Sequence, residues 1–533
     1  MNFSRVWAVV AFVAIAILSL AVGSWLRVNY APEWMALDAT QHPAAMRPFA
    51  VEADCYSQLA RVQRILDGQG LIQNHFTVEN WPEGLTPSTT APFDYAILLL
   101  YAPLALFTKY PLDWAGALIS PALWVVLVLF WMFFRSREFN LAGRAVLLMG
   151  SAALPAFLWA TACGRPRHQS LILALMAIGL TAEYERWQIE LTSKRAWNIF
   201  AGVVWGLACW TSLFEPTLVV GCLILFNLVV RRKENFAFLV SFGVVMLVAL
   251  ILEGWHIYYP PAQYHEVLLR WLATIAEVQS VNFAGMMQGM TLLVLLLPLI
   301  IWKLRAPEGF NKTDVLVILL TVLLTVLAVV QRRWLYYASL AELMLLARYF
   351  QAAPTRWPRL VVLGLCLAGM ADADENEFES HAHLPPNQPS PQLVQISQSI
   401  SGVGGIMAPW WISPGLLYFS GQPIVSGSSH CGISGIEASA KFFTATSWAD
   451  AELILQQRKV RWIVVWDDPA YEYPLLRTSL GMLGLPEVSE DAKGNADTMV
   501  GQLLITDHYL PTAIHLRAVT PNLKLYEFTP EGG

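Results

Sequence analysis

Four polar clusters interrupt an otherwise apolar chain, and each carries residues that could do chemistry. The stretch "ATIAEVQSVNF" (Ala273 to Phe283) puts one carboxylate, Glu277, between two long apolar runs. The stretch "VEADCYSQLARVQRILDGQG" carries Glu52 and Asp54 just ahead of a helical spacing of Leu59, Val62 and Leu66. A carboxylate there either caps the helix or works as a general base or metal ligand at a membrane surface. In "TACGRPRHQSLIL", Arg165, Arg167 and His168 crowd the junction of two apolar runs. They either snorkel to the interface or face a phosphate. In "QRRWLYY", Arg332 and Arg333 stand together at the end of a run. Guanidiniums so placed bind lipid headgroups or grip a pyrophosphate in bidentate fashion.

The elements that position these clusters follow from composition. Of 533 residues 56% are hydrophobic and 14% charged, and the mean hydropathy of +0.48 is far from that of an ordinary soluble domain. The net charge of −5 gives no footprint for nucleic acid. Six cysteines, including Cys163, Cys209, Cys222 and Cys366 in or beside apolar runs, show no CxxC or CxxH spacing, which argues against a structural zinc site. Runs of membrane-crossing character lie at 6–26, 114–134, 145–163, 168–182, 196–214, 216–230, 235–252, 285–302, 315–331, 334–347 and 357–371. The first is read as a retained helix rather than a cleaved signal, because no A-x-A pattern follows it.

The shorter run 95–108, preceded by Pro92 and Asp94 and followed by Lys109, is read as a non-spanning outer helix. Orientation supports that choice. With the N-terminus inside, the inner loops carry Arg135, Arg137 and Arg144; Arg186, Lys194 and Arg195; Arg231, Arg232 and Lys233; Lys303, Arg305 and Lys312; Arg348, Arg356 and Arg359. Every short inner loop is then basic, as the positive-inside rule asks. The expected division is a membrane domain over 1–372 with outer loops at 27–113 and 253–284, an acidic, proline-rich linker over 373–395, and an outer domain over 396–533. In that last part "GGIMAPWW" and "VRWIVVWDD" read as buried strands, with "ADAELILQQRK" as an amphipathic helix between them.

Four polar clusters on one face of a helical bundle resemble the catalytic subunit of oligosaccharyltransferases, membrane glycosyltransferases of the GT-C class. The resemblance spans nearly the whole chain. It rests on Asp54 followed by Tyr56 in the first outer loop, and on "TIAE" (Thr274 to Glu277), which matches a T/S-x-x-E loop motif. It rests also on "RWLYY" from Arg333 and on "APWWISPG" (Ala408 to Gly415), which stands where the family has Trp-Trp-Asp-Tyr-Gly. The fold it implies is a polytopic α-helical membrane protein of GT-C type, with about 11–13 transmembrane helices and a C-terminal α/β soluble domain.

The activity it implies is transfer of a glycan from a polyprenyl-(pyro)phosphate donor to a protein or glycan acceptor on the outer face of a bacterial inner membrane. Asp54 and Glu277 would be catalytic, Arg333, Arg332 and Arg167 would hold donor phosphate, and Trp410, Trp411 and Thr274 would hold the acceptor. A divalent cation, Mn or Mg, would sit on Asp54 and His168. Two departures bear on this. The family's second acidic motif falls at Arg167-His168-Gln169, so two hard oxygen ligands are missing. The acid that reads the hydroxyl of Asn-x-Ser/Thr is replaced by Ile412. A transporter or flippase of lipid-linked sugars and a non-catalytic homologue are the alternatives. Glu342, Glu215 and Glu253, in or near spans, are what a transporter would use.

Overall fold

The computed structural model describes residues 3–30, 47–87, 90–134, 139–188, 191–230, 236–254, 259–275, 277–291, 293–305, 312–352, 390–466, 474–486, 498–505 and 510–530. The run 357–371, the linker up to residue 389, Cys366, and Arg135, Arg137, Arg231, Arg232, Lys233, Arg356 and Arg359 of the inner loops lie outside these residues. The chain divides into two compact units. The first comprises residues 1–34, 115–252 and 277–385, the second residues 35–114, 253–276 and 386–533.

The first unit is a helical bundle. Each of the apolar runs between residues 6 and 347 falls on a helix or a bent helix pair, from Phe3–Asn29 to Leu335–Ala352. Among the described residues, four helices are long and apolar enough to cross a membrane, or six if each bent pair counts as one. Other helices of the bundle miss that length or apolarity. Glu215–Val229 is short at 15 residues, and His168–Gln188 carries Glu183, Glu185 and Arg186 buried near its end. Two runs read as straight spans are bent. Leu141–Ala153 and Pro155–Thr161 meet at 63°, and Phe283–Met290 and Leu293–Leu304 at 69°. Pro155 has no N–H to continue the first ladder, which explains the first break. The core is continuous and aromatic, with Trp124, Trp131, Trp205, Tyr184 and Tyr336 fully buried.

The second unit is α/β. Strands β1 (Gly405–Met407), β2 (Val460–Trp466), β3 (Ile514–Val519) and β4 (Leu523–Phe528) form one sheet in the order β1-β2-β4-β3. β1 and β2 run parallel, while β4 is antiparallel to both its neighbours. Six of the seven β2 residues are buried, the mark of a strand covered on both faces. On one face Met407, Ile463, Val465 and Tyr526 pack with Phe442 and Leu455. On the other, Ile406, Trp462 and Val464 pack with Ile412 and Leu416, and with Ala60, Phe76 and Leu85 of the first loop.

The expected helix in "ADAELILQQRK" is Trp448–Gln457. "GGIMAPWW" is a strand only over Gly405–Met407. The chain leaves β1 at Pro409, turns through Trp410 and Trp411, and enters the helix Ser413–Ser420, whose first turn takes Pro414. The outer helix spans Ala91–Leu104 and not 95–108, because Pro92 and Asp94 belong to its first turn. The Glu253 carboxylate accepts from the Ala91 N–H at 2.7 Å and closes that end.

Candidate functional site: a guanidinium cluster around Glu277

In the first unit the loop carrying Glu277 is stapled to the entrance of the Leu335–Ala352 helix. Arg333 N–H donates to the Glu277 carbonyl at 3.0 Å, Arg332 N–H to the Gln279 carbonyl at 3.0 Å, and Val281 N–H to the Val329 carbonyl at 3.0 Å. Backbone pairing therefore fixes Glu277 beside the two arginines before any side chain acts. Arg167 arrives from the tight link ahead of His168. That link is held by Gly164 N–H donating to the Ala117 carbonyl at 3.0 Å and by Ser120 Oγ donating to the Arg165 carbonyl at 2.5 Å. Gly164 has φ +74°, a conformation that costs a side-chain-bearing residue about 1–2 kcal/mol.

The charges alternate. The Arg167 guanidinium bonds the Glu277 carboxylate. Arg333 bonds Glu215 at 2.5 Å, and Ser212 Oγ donates to the second Glu215 oxygen at 2.8 Å. Glu215 is fully buried, whereas the Glu277 side chain keeps 15% of its exposure. Burial would raise the Glu277 pKa, but Arg167, Arg333 and His168 outweigh it and hold the carboxyl below the usual carboxylate range. Arg333 also has a buried Nε with no hydrogen-bond partner in the protein. Beside this chain, Arg332 lies over the Trp159 ring at 4.5 Å and Arg165 over the same ring at 5.8 Å. A shallow groove lined by Tyr30, Pro155, Trp159, Gln288, Arg332 and Leu335 lies there between the two bent helix pairs. It offers apolar walls with a cation at one edge.

The structure thus brings Glu277, Arg167 and Arg333 together, with Arg332 at the neighbouring groove and His168 close enough to act on Glu277 electrostatically. Asp54, Thr274, Trp410 and Trp411 belong to the second unit. Asp54 is exposed in the first turn of the Ala53–Leu66 helix. It is not the N-cap. That position is Glu52, which makes no side-chain cap bond. Thr274 Oγ donates to the Trp271 carbonyl at 2.7 Å. Trp271, Trp410, Trp411 and Trp466 form an edge-to-face series at 5.7, 5.5 and 5.8 Å. Ile412 is fully buried in the apolar core, and Ser413 donates to the Pro409 carbonyl at 2.9 Å, so neither presents a hydrogen-bonding group to a ligand.

Sequence reasoning missed a second buried carboxylate. Glu79, only 2% exposed, accepts from Ser57 Oγ at 3.4 Å, and Ser57 lies 3.5 Å from Ser428 Oγ. A Cβ on Gly427 would overlap the Glu79 carboxylate. Burial, with Asp54 adding repulsion against the help of Arg61, pushes Glu79 up to about 7. Its charge within "TVENWPEG" gives no sign of this, since its partners come from distant segments. Glu215 was legible as an acid near a span end, but not as the partner of Arg333.

The residues around Glu277 do not fit a divalent cation. A hard cation needs several oxygen ligands, and here the neighbours of the carboxylate are Arg167, Arg333 and His168. Among the described residues, no group of three or more His, Cys, Asp or Glu is placed to hold a metal.

No protein-family model matches the chain, and no curated protein matches it in sequence. Solved structures do resemble it. The archaeal oligosaccharyltransferase AglB from Archaeoglobus fulgidus, in complex with an inhibitory peptide and a dolichol-phosphate, superposes with a TM-score of 0.72 at 12% identity over 97% of this chain and 80% of that one. A second A. fulgidus oligosaccharyltransferase structure, in complex with Zn and sulfate, gives 0.60 at 13% identity over 85% and 68%. ArnT from Cupriavidus metallidurans bound to undecaprenyl phosphate gives 0.55 at 12% over 99% and 98%. The chain has the GT-C fold, a multi-pass helical membrane bundle with a C-terminal soluble domain.

Proposed function

We propose that the protein is a membrane glycosyltransferase that moves a glycan from a polyprenyl-(pyro)phosphate donor to an acceptor on the outer face of the membrane. The observation that carries this reading is the neighbouring ion pairs Arg167–Glu277 and Arg333–Glu215 beside the Arg332 groove. Guanidiniums bind phosphate oxygens in pairs. Neighbours of the same fold hold dolichol-phosphate and undecaprenyl phosphate.

In the reaction the acceptor's nucleophilic atom bonds the anomeric carbon as the bond from that carbon to the phosphate oxygen breaks, with inversion. The phosphate leaves as an anion onto Arg333 and Arg167, which stabilise charge as it develops. Asp54, exposed at its helix start, takes the nucleophile's proton. Trp410, Trp411 and Thr274 flank the acceptor. Because Ile412 is buried, the acceptor is not selected by the hydroxyl of Asn-x-Ser/Thr, and a protein or glycan of another kind serves. The Asn-x-Thr and Asn-x-Ala forms of a peptide should behave alike, whereas the missing hydrogen bond would otherwise separate them by roughly 1.5–3 kcal/mol.

In this reading residues after about 372 lie outside the cytoplasm, which the basic loops on the other side support. A reporter active only outside the cytoplasm should work at the C-terminus, and a working cytoplasmic reporter there would overturn the orientation. The activity is tested by transfer from undecaprenyl-linked sugars, alongside mass spectrometry of envelope glycans with and without the gene. Glu277→Gln and Asp54→Asn should each slow transfer by about a hundredfold or more while the protein stays folded. A stable, fully active Glu277→Gln enzyme would sink the assignment. A second reading, a non-catalytic homologue, is favoured by Arg167 and Gln169 at the positions of the family's acids. It predicts no transfer by the wild-type chain.

A further inference from the structure

The Glu277 carboxylate occupies the place an anion would take on the Arg167 guanidinium, within the electrostatic reach of Arg333, and its backbone is pinned there by the 3.0 Å bonds to the 329–333 segment. From this arrangement we infer that Arg167 and Arg333 form a phosphate clamp that works without a divalent cation, and that Glu277 is the anion it holds until donor phosphate displaces it. The inference rests on the donor reading above.

Three observations carry it. First, the signs are wrong for a cation. Glu277 is flanked by Arg167, Arg333 and His168, and the other acid of the chain, Glu215, is already engaged by Arg333 and Ser212. A divalent cation entering here would meet fixed positive charge. Second, the clamp has unused capacity for an anion. The Arg333 Nε is buried without a protein acceptor, and a guanidinium has five N–H donors in a planar fork. Third, exchange needs only a side-chain rotation. The 277–281 backbone stays paired to the 329–333 segment, so a phosphate can take Arg167 while the Glu277 carboxylate turns away. Donor arrival would then release the carboxylate for its role in transfer, which couples the two events without any metal.

The sign of one variant separates this clamp from a metal site. If Glu277 competes with phosphate, removing its charge tightens phosphate binding. If Glu277 holds a cation that bridges to phosphate, removing its charge weakens it. The experiment measures undecaprenyl phosphate binding to the full-length protein in nanodiscs. The arms are chelator, added Mn²⁺ or Mg²⁺, and phosphatidylglycerol in excess as a competing headgroup. The wild type should bind equally, within about twofold, with chelator and with either cation. Glu277→Gln should bind roughly tenfold tighter, and Arg167→Ala should lose roughly ten- to a hundredfold, the span of a charge-assisted hydrogen bond.

Binding that collapses in chelator and returns with Mn²⁺, or a Glu277→Gln protein that binds more weakly, would overturn the clamp and leave the donor reading intact. Displacement by the excess phosphatidylglycerol would overturn it as a general headgroup site. No binding under any condition would overturn the donor reading and the clamp together.

Discussion

Glu277 and Glu79 are both glutamates withdrawn from water, and their pKa values move in opposite directions. Burial raises the pKa of each, so burial alone cannot explain the difference. Around Glu277 the neighbours are Arg167, Arg333 and His168, and the carboxyl is held below its ordinary range. Around Glu79 the one favourable cation, Arg61, is opposed by Asp54, and the carboxyl rises to about 7. The first unit thus builds a place for negative charge. The second builds a place where a proton is kept near neutral pH.

The largest effect should come from breaking the charge chain in the first unit. Arg333→Leu strands the fully buried Glu215 with Ser212 alone. Removing one partner of a buried pair costs about 3–5 kcal/mol, which should appear as a large fall in thermal stability in detergent. Adding Glu215→Gln to Arg333→Leu should recover much of the loss, because the orphaned charge is then gone. If the double variant is no better than the single one, the pair is not what holds this corner, and the contrast with Glu79 loses its electrostatic basis.

The second effect is the pH dependence of the two acids, and its sign differs between them. For Glu79, folded protein keeps a proton between about pH 4.5 and about 7 that the unfolded chain has lost. Its contribution is therefore fully present below the ordinary carboxylate pKa and lost as pH rises through about 7. At roughly 1.4 kcal/mol per pH unit the change is on the order of 3 kcal/mol. Glu79→Gln should flatten this slope and stabilise the protein at pH 8 relative to wild type. Glu277 works the other way. Its stabilisation is present above the ordinary carboxylate pKa and lost as pH falls through its depressed folded value, so Glu277→Gln should lower stability evenly at pH 5.5 and 8 and flatten the slope at the acid edge. Thermal unfolding of both variants at pH 3.5, 5.5 and 8 checks this, and parallel profiles would break the comparison.

The two sites differ also in how far the sequence discloses them. Glu277, Arg332 and Arg333 stood out because any charge between apolar runs is conspicuous, and positive charge at an outer helix end runs against the usual bias. The helices were legible for the same reason, since long apolar runs have few alternatives. The bends were less so, because Pro155 inside an apolar run reads as readily as a tolerated kink. Glu79 was hidden. Its surroundings are assembled by folding from Ser57, Gly427 and Ser428, and the two serines are 371 residues apart. Local composition cannot encode such an encounter. The turn at Trp410 and Trp411 was misread as strand because two tryptophans after β1 satisfy strand preference, while Pro409 and Pro414 set the actual path.

The smallest effect is the most specific probe of why Glu79 keeps its proton. Ser57 Oγ sits 3.4 Å from a Glu79 oxygen, a long hydrogen bond that favours the ionised form, while burial favours the neutral one. Ser57 is itself only partly buried and also meets Ser428 at 3.5 Å, so its loss can be compensated in part. Ser57→Ala should cost less than about 1 kcal/mol of stability near pH 6, within the range of a weak neutral hydrogen bond. It should move the Glu79 transition upward, because the ionised carboxylate loses a donor and nothing else changes. The midpoint of the pH–stability curve in Ser57→Ala and wild type measures this, with Glu79→Gln as the background that lacks the transition. A downward move, or a loss of more than about 2 kcal/mol, would mean that Ser57 and its hydrogen bonds, rather than desolvation, keep the proton on Glu79. In that case the two glutamates would differ in bonding and not in electrostatic surroundings.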